Sequence, residues 1–141
     1  VGLLSSDVKR HPVSILLAEP LGWIRRHLPR LRISLFVLNQ PDAEGDGGGA
    51  GARDEWGRAM RGAAAEAHDL SGLCDAEAAA AINAAHVHLL IDLNGMYSRG
   101  ARPQLLAARP APLQAAHLGY GGSTGAPFVD YALADRLAAP P

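Results

Sequence analysis

The sequence predicts an α/β fold, a Rossmann-like parallel sheet with helices on both faces. Three observations carry that prediction. Short apolar runs rich in Leu, Ile and Val recur along the chain, amphipathic or Ala-rich stretches of helical length separate them, and the runs end in polar or Gly-containing turns. Strands that alternate with helices pair in parallel, and the crossover helices cover the sheet on both sides.

Val1 to Ser5 reads as a short buried strand, and Ser5-Ser6-Asp7 suits a strand-to-helix turn. A helix follows from His11-Pro12. Pro fits a first helical turn because its missing N–H has no partner to lose there, and Val13, Leu16, Leu17, Leu21, Ile24 and Leu28 recur at three-to-four spacing. Pro20 is expected to end or kink this helix. Arg32 to Leu38 is the second strand, β-branched and aromatic, with an apolar continuity that suits burial on both faces. Gln40 to Arg53, with Pro41, Asp42, Asp46 and Gly47-Gly48-Gly49, cannot bury enough apolar surface to offset chain ordering and is expected to be a flexible loop. It lacks the Gly-Lys-Ser/Thr ending of a phosphate cradle.

Trp56 to Ala67 and Asp75 to Ala85 read as Ala-rich helices, the second with Asp75 as N-cap and Glu77 in its first turn. Between them, Ala67 to Ser71 is at most a short strand. His86 to Leu93 is the third strand and stops at the loop signal Asn94-Gly95. Pro103 to Ala108 makes a short helix, Leu113 to Leu118 a further strand, and Val129 to Ala134 a last short one. The Gly-rich turn Gly119 to Gly125 lies between those two strands.

Composition narrows the function classes. The 141 residues carry 13 Lys+Arg against 14 Asp+Glu, a formal net charge of -1. That balance argues against a nucleic-acid arm or a polybasic membrane anchor, both of which need a basic excess. Cys74 is the only cysteine, which excludes an internal disulfide and a Cys-rich zinc site. No apolar run approaches the roughly 20 residues of a membrane span. Cytoplasm or nucleus is the expected compartment. The chain opens at Val1 inside an apolar run and closes at Pro140-Pro141, so it is expected to be part of something longer.

In parallel α/β sheets, ligands bind at the carboxyl ends of the strands. Asp7, His11, Asp92, Asn94 and Gly119 to Gly125 fall there. Asp7 and His11 flank the first strand-to-helix turn, where an acid and an imidazole can transfer a proton or hold a substrate hydroxyl. The alternative is a helix-capping Asp beside a solvated His. The glycines after the strand ending at Leu118 would let a sugar or phosphate approach the main chain, or form a plain surface turn. His86 and His88, two apart on a strand, would share a face, but no carboxylate or Cys supports a metal site there, and structural histidines are expected. Arg99, Arg102 and Arg109 are either a phosphate-pairing cluster or a set of salt bridges across the loop.

Several segments together resemble one family. These are Asp92-Leu93-Asn94-Gly95, Gly100-Ala101-Arg102, Ala108-Arg109-Pro110-Ala111-Pro112-Leu113-Gln114, Leu118-Gly119-Tyr120 and Gly125-Ala126-Pro127-Phe128-Val129-Asp130-Tyr131, with Val1-Gly2, Ser5-Ser6-Asp7 and His11-Pro12 at the start. In this order and spacing they resemble the catalytic region of nucleocytoplasmic protein O-GlcNAc transferases, over nearly the whole chain. The resemblance implies one lobe of a two-lobed GT-B glycosyltransferase, inverting and metal-independent, that moves N-acetylglucosamine from UDP-GlcNAc to Ser or Thr hydroxyls of intracellular proteins. UDP-GlcNAc is then a donor substrate, and no cofactor is expected. Residues 1–141 would be an incomplete N-terminal lobe, with tetratricopeptide (TPR) repeats before it and a second lobe, holding most nucleotide contacts, after it.

By matching motif, the resemblance gives His11 and Asp7 catalytic roles, leaving open which is the base. It sets Leu118 and Gly119 at the sugar pocket and counts Asn94 and Arg102 among substrate-binding residues. The chain departs from the family pattern at Lys9-Arg10, where Gly-Asn is usual, and at His117 and Gly121, where Trp and Pro are usual, so a looser loop is expected after Leu118. Two alternatives remain: a SPINDLY-type protein O-fucosyltransferase using GDP-fucose, and a non-catalytic fragment that binds a protein partner.

Overall fold

Continuous apolar runs along three short strands, covered on both faces, decide the architecture. In a computed structural model, which describes residues 1–38, 54–96, 98–119, 121–122 and 124–139, the elements run β1 (Gly2–Ser5), α1 (Pro12–His27), β2 (Ser34–Val37), α2 (Glu55–Ala63), β3 (Glu66–Asp69), α3 (Asp75–Ala84), β4 (Leu89–Asp92), α4 (Pro103–Ala107), β5 (Leu113–His117) and β6 (Tyr131–Leu133). Leu3, Leu35 and Val37 point to one side of the sheet, where Val13, Ala18 and Leu21 of α1 and Met60 and Ala63 of α2 cover them. Their neighbours Leu4, Phe36 and Leu90 point to the other side and pack with Ala78 and Ile82 of α3 and Leu105 and Leu106 of α4. The period of two along the strands thus divides the interior into two cores.

The six strands lie in the order β3-β2-β1-β4-β5-β6 and pair in parallel throughout. The chain starts at the centre, winds outward through β2 and β3, then returns to lay β4, β5 and β6 on the other flank. Crossovers of one hand that travel in opposite directions put their helices on opposite faces. The strand order therefore reverses between β1 and β4. The predicted fold class stands.

Several boundaries differ from the sequence reading, each because tertiary structure outweighs local pattern. α1 runs through Pro20 and does not end there. Pro20 and Leu16 are both exposed, so the carbonyl that loses its partner four residues back lies on the wetted side of the helix, where water can replace it. α2 stops at Ala63, short of Ala67, because Ala64 turns extended and the Ala65 N–H pairs with the Ile33 carbonyl. The short strand placed at Ala67 to Ser71 is β3, shifted to start at Glu66. It is an edge strand with little burial, and its sequence lacks the β-branched residues that mark β2. The cap of α3 is Cys74, one residue before the expected Asp75, and the Cys74 N–H donates to Glu77 Oε2 at 2.9 Å.

β4 is shorter than expected and leaves out His86 and His88. His86 sits just after α3 with φ of 51°, the left-handed position that usually closes a helix with glycine, and its N–H bonds to the Asn83 carbonyl. Both histidines are exposed and do not form a strand pair. The loop expected at 40–53 lies outside the described residues. Among those described, no helix is long and apolar enough to cross a membrane.

Phe36 has no exposed surface and stacks on His68, whereas Leu137 is 93% exposed. Phe36→Ala is therefore expected to lower the unfolding free energy by about 3–5 kcal/mol. Leu137→Ala should change it by less than about 0.5 kcal/mol. Urea titration of the two variants checks both.

Candidate active site at the carboxyl ends of β1, β4 and β5

The turn leaving β1 is built by three serines. The Asp7 N–H donates to Ser5 Oγ at 3.0 Å, the buried Ser14 hydroxyl donates to the Asp7 carbonyl at 2.5 Å, and the Ser6 hydroxyl donates to Asp7 Oδ2 at 3.3 Å. Asp7 is thereby held by backbone and side chain together. It is not the cap of α1. That position belongs to His11, whose extended backbone lets its Nδ1 accept the Val13 N–H at 3.4 Å, with Pro12 preset for the first turn.

Asp7 Oδ2 and His11 Nδ1 are 3.8 Å apart, too far for a hydrogen bond and close enough for charge coupling. Because Nδ1 accepts, the neutral ring carries its proton on Nε2. Both side chains are partly open to solvent. The structure brings together the two groups assigned catalysis by resemblance.

Beside them, β4 ends in a polar cluster that is almost wholly enclosed. Asp92 is 4% exposed and Asn94 1%. Asp92 Oδ1 accepts from the Asn94 amide group at 2.7 Å and from the Asn94 N–H at 3.2 Å, while Oδ2 accepts from the Gly95 N–H at 3.0 Å. Asn94 Oδ1 in turn accepts the Ser6 N–H at 2.6 Å, across to the exit of β1. Burial pushes the Asp92 carboxyl above its ordinary 3.8, and the bonds from Asn94 and Gly95 oppose that shift. The Asn94 side chain, counted from sequence among substrate-binding groups, is spent on bonds within the fold.

At the end of β5 the backbone is strained. Leu118 has φ of 70°, and the Gly119 N–H closes on the His117 carbonyl at 2.8 Å, a γ-turn of the rare positive-φ kind. Leu118 is 41% exposed at this rim. A Cβ on Gly119 would collide with the Leu93 carbonyl and the Asn94 backbone. Its bare α-carbon lets this turn lie directly on the exit of β4. His117, expected to loosen this end of the sheet, instead fastens it, with its Nδ1 2.9 Å from the Leu133 carbonyl of β6.

The whole chain, residues 1–141, matches the family described as Glycosyl transferase family 41. The chain belongs to that family. It is 31% identical over 140 residues to the Arabidopsis thaliana protein named probable UDP-N-acetylglucosamine–peptide N-acetylglucosaminyltransferase SEC, and 33% identical over 141 residues to the Caenorhabditis elegans UDP-N-acetylglucosamine–peptide N-acetylglucosaminyltransferase. Each match takes in 99% of this chain but only 13% and 11% of those relatives. A rice protein named for SPINDLY is 34% identical over 73 residues, 52% of this chain and 8% of its own length. Among solved structures, a mutant of the Thermobaculum terrenum O-GlcNAc transferase superposes with a TM-score of 0.81 at 23% identity, covering 99% of this chain and 24% of that one. The fold is thus a Rossmann-like lobe of the GT-B type.

In this family 41 chain, the most distinctive motif works as a clamp. Arg109, at φ of 47°, donates to both carboxylate oxygens of Asp130 at 3.1 and 3.0 Å and to the carbonyls of Phe128 and Pro112 at 3.2 Å. Asp130 also accepts the Gln114 N–H at 2.8 Å, and Gln114 Nε2 reaches the carbonyls of Leu106 and Phe128. The Arg109 guanidinium and the Gln114 N–H lower the Asp130 carboxyl from its ordinary value. α4, β5 and the approach to β6 are fixed to one another by these two side chains.

Arg102 is likewise engaged. Its Nε meets Asp75 Oδ1 at 2.6 Å, and its Nη2 meets the Leu73 carbonyl at 2.9 Å. Of the two readings offered by Arg99, Arg102 and Arg109, the salt-bridge reading holds for Arg102 and Arg109, while Arg99 is exposed. Sequence reasoning missed Ser6 and Ser14. A Ser-Ser-Asp run followed by Ser at the third residue of a helix is too common to single out, although three hydroxyls around one acid was a signal.

Two outcomes test this geometry. Gly119→Ala should destabilise by about 1–3 kcal/mol through overpacking. Gly121→Ala, which meets nothing within 4 Å, should be near neutral in the same melting experiment. For Asp92, the folded carboxyl holds its proton to higher pH than the unfolded one. Its contribution to stability is therefore greatest below the ordinary 3.8 and declines as pH rises through the raised folded value. The stability difference between wild type and Asp92→Asn should shift against wild type over that window and level off above it, as read by urea unfolding from pH 3 upward.

Proposed function

We propose that this chain is one lobe of a two-lobed protein O-GlcNAc transferase, which moves N-acetylglucosamine from UDP-GlcNAc to Ser or Thr hydroxyls of intracellular proteins. The observation that carries the reading is the Asp7–His11 pair, set at the carboxyl edge where strand order reverses. The match of 99% of this chain to a short part of two proteins named for this transfer supports it. In the reaction, the acceptor hydroxyl loses its proton toward Asp7 or His11, its oxygen bonds to the anomeric carbon with inversion, and the bond to UDP breaks. No metal or cofactor takes part. Electrostatic stabilisation of the departing diphosphate falls mainly to a second lobe beyond this chain. Leu118 and Gly119 border the sugar, and Asn94 and Arg102 serve the site by holding its frame. TPR repeats of the parent present the acceptors, and the compartment is cytoplasm or nucleus.

The runner-up is a SPINDLY-type O-fucosyltransferase using GDP-fucose. The relatives named for SPINDLY reach only half of this chain and are themselves named as N-acetylglucosaminyltransferases, so they lend the fucose reading no support over the first. In the full-length parent, labelled GlcNAc should pass to an acceptor peptide, and His11→Ala should lower kcat by about 100-fold or more. Thermal stabilisation by GDP-fucose and not by UDP-GlcNAc would favour the runner-up. Transfer untouched by His11→Ala would remove the catalytic role. The 141-residue chain by itself should show no measurable turnover.

A further inference from the structure

We infer that Asp92 and Asn94 are positioning residues for the Asp7–His11 pair, acting through the Ser6 backbone across the gap between β1 and β4. This rests on the reading of Asp7 and His11 given above. Direct pairing of the two central strands ends early. The register runs from Gly2 to Leu4 on β1 against Leu90 to Asp92 on β4, and the last backbone bond joins the Leu93 N–H to the Leu4 carbonyl. Beyond it the two exits diverge, as they must where strand order reverses.

The Asn94 side chain supplies the next rung. Its Oδ1 takes the Ser6 N–H at 2.6 Å, and its Nδ2 lies 3.4 Å from the Leu4 carbonyl. The Ser6 N–H calls for the oxygen end of the amide, and Asp92 Oδ1, at 2.7 Å the nearer of the two acceptors on Nδ2, holds the amide in that orientation. Among the described residues no cation pairs with Asp92, so an enclosed carboxylate is retained with only N–H donors around it. An apolar residue there would strip the Asn94 and Gly95 N–H groups and the Asn94 amide of their acceptor, so the carboxylate both seats the turn after β4 and braces the Asn94 side chain.

The effect reaches the site in two further contacts. Ser6 Oγ donates to Asp7 Oδ2, and that same oxygen lies 3.8 Å from His11 Nδ1. Gly100 closes the other side of Ser6, since a Cβ there would fall on the serine's Cβ and Oγ. Ser6 is thus confined on two sides, and while Ser5 and Ser14 hold the Asp7 backbone, Ser6 is the contact that reaches its carboxylate. A misplacement of about 1 Å at such a pair is enough to cost about 100-fold in rate.

The test uses the pair's own chemistry. In Asp92→Asn, one amide oxygen replaces two carboxylate oxygens, so the new nitrogen faces either the Asn94 Nδ2 or the Gly95 N–H, and the seat that braces Asn94 is loosened. In the exchanged variant Asp92→Asn/Asn94→Asp, a carboxylate at 94 accepts the Ser6 N–H and the amide at 92 donates to it, so the orientation returns. In the 141-residue chain with labelled histidine ring nitrogens, Asp7→Asn should move the His11 resonances. The same substitution should leave them nearly unmoved in the Asp92→Asn background and move them again in the exchanged background.

Equal shifts in all three backgrounds would overturn the inference, even if Asp92→Asn melts lower, because that is the behaviour of a purely structural residue. Should Asp92→Asn fail to fold, the exchanged variant decides. A folded protein with the His11 response supports the inference; a folded protein without it, or a second failure to fold, overturns it. In the full-length parent, Asp92→Asn should lower kcat by about 100-fold with KM for UDP-GlcNAc changed by less than about twofold. A parent that transfers no sugar, with the ring coupling intact, would sink the functional reading and leave the positioning role standing.

Discussion

One amide at the exit of β4 fastens the two central strands where the sheet changes direction. At the carboxyl edge the bond from the Ser6 N–H to Asn94 Oδ1 joins the exits of β1 and β4 past their last backbone pair. Parallel strands that feed crossovers in opposite directions separate at their ends, and the resulting crevice is where α/β sheets take ligands. The same separation removes the backbone ladder that would hold the crevice walls in place. Asn94 replaces that ladder, Asp92 orients Asn94, and Gly119 brings the exit of β5 down onto the same backbone. Three strand ends become one rigid rim.

This division of labour explains why the most family-specific residues touch no exposed crevice. Arg109, Gln114 and Asp130 lock α4, β5 and the segment before β6, and Arg102 ties the start of α4 to the turn before α3. A bidentate Arg–carboxylate pair suits such a task because its planar fork fixes direction as well as distance. The groups open to a substrate are few. Asp7 and His11 are partly exposed, and Leu118 stands at the rim in a strained turn. Strain of that kind persists only when its surroundings hold it. Here the holders are the Gly119 contact and the His117 bond to β6.

The layered α/β fold was legible because short continuous apolar runs at β1, β2 and β4 alternate with stretches of helical length, which leaves few other arrangements. Element ends were less legible, and the reasons differ. Pro20 would break a buried helix, but a helix with a solvent side tolerates it. α2 ends where β3 claims Ala65, a contact made with Ile33 that no local pattern records. β3 itself is a strand by pairing alone, since Glu66 to Asp69 carries no strand-forming residues.

At the site, the positions of Asp7 and His11 followed from their place in the turn, whereas the identity of the helix cap did not. Asn94 and Arg102, counted as substrate-binding by resemblance, have side chains bonded within the fold. A motif names such residues, and geometry shows what their side chains hold.

The central claim is that the carboxyl edge of β1, β4 and β5 is the acceptor and sugar side of a glycosyltransferase cleft. A structure of the full-length parent with UDP-GlcNAc and an acceptor peptide tests it most directly. The account places the sugar against Leu118 and Gly119, the acceptor hydroxyl within hydrogen-bond reach of His11 or of a water on Asp7, and Asn94 unmoved beneath them. A donor sugar bound away from this edge, or an acceptor hydroxyl beyond the reach of both Asp7 and His11, would contradict it.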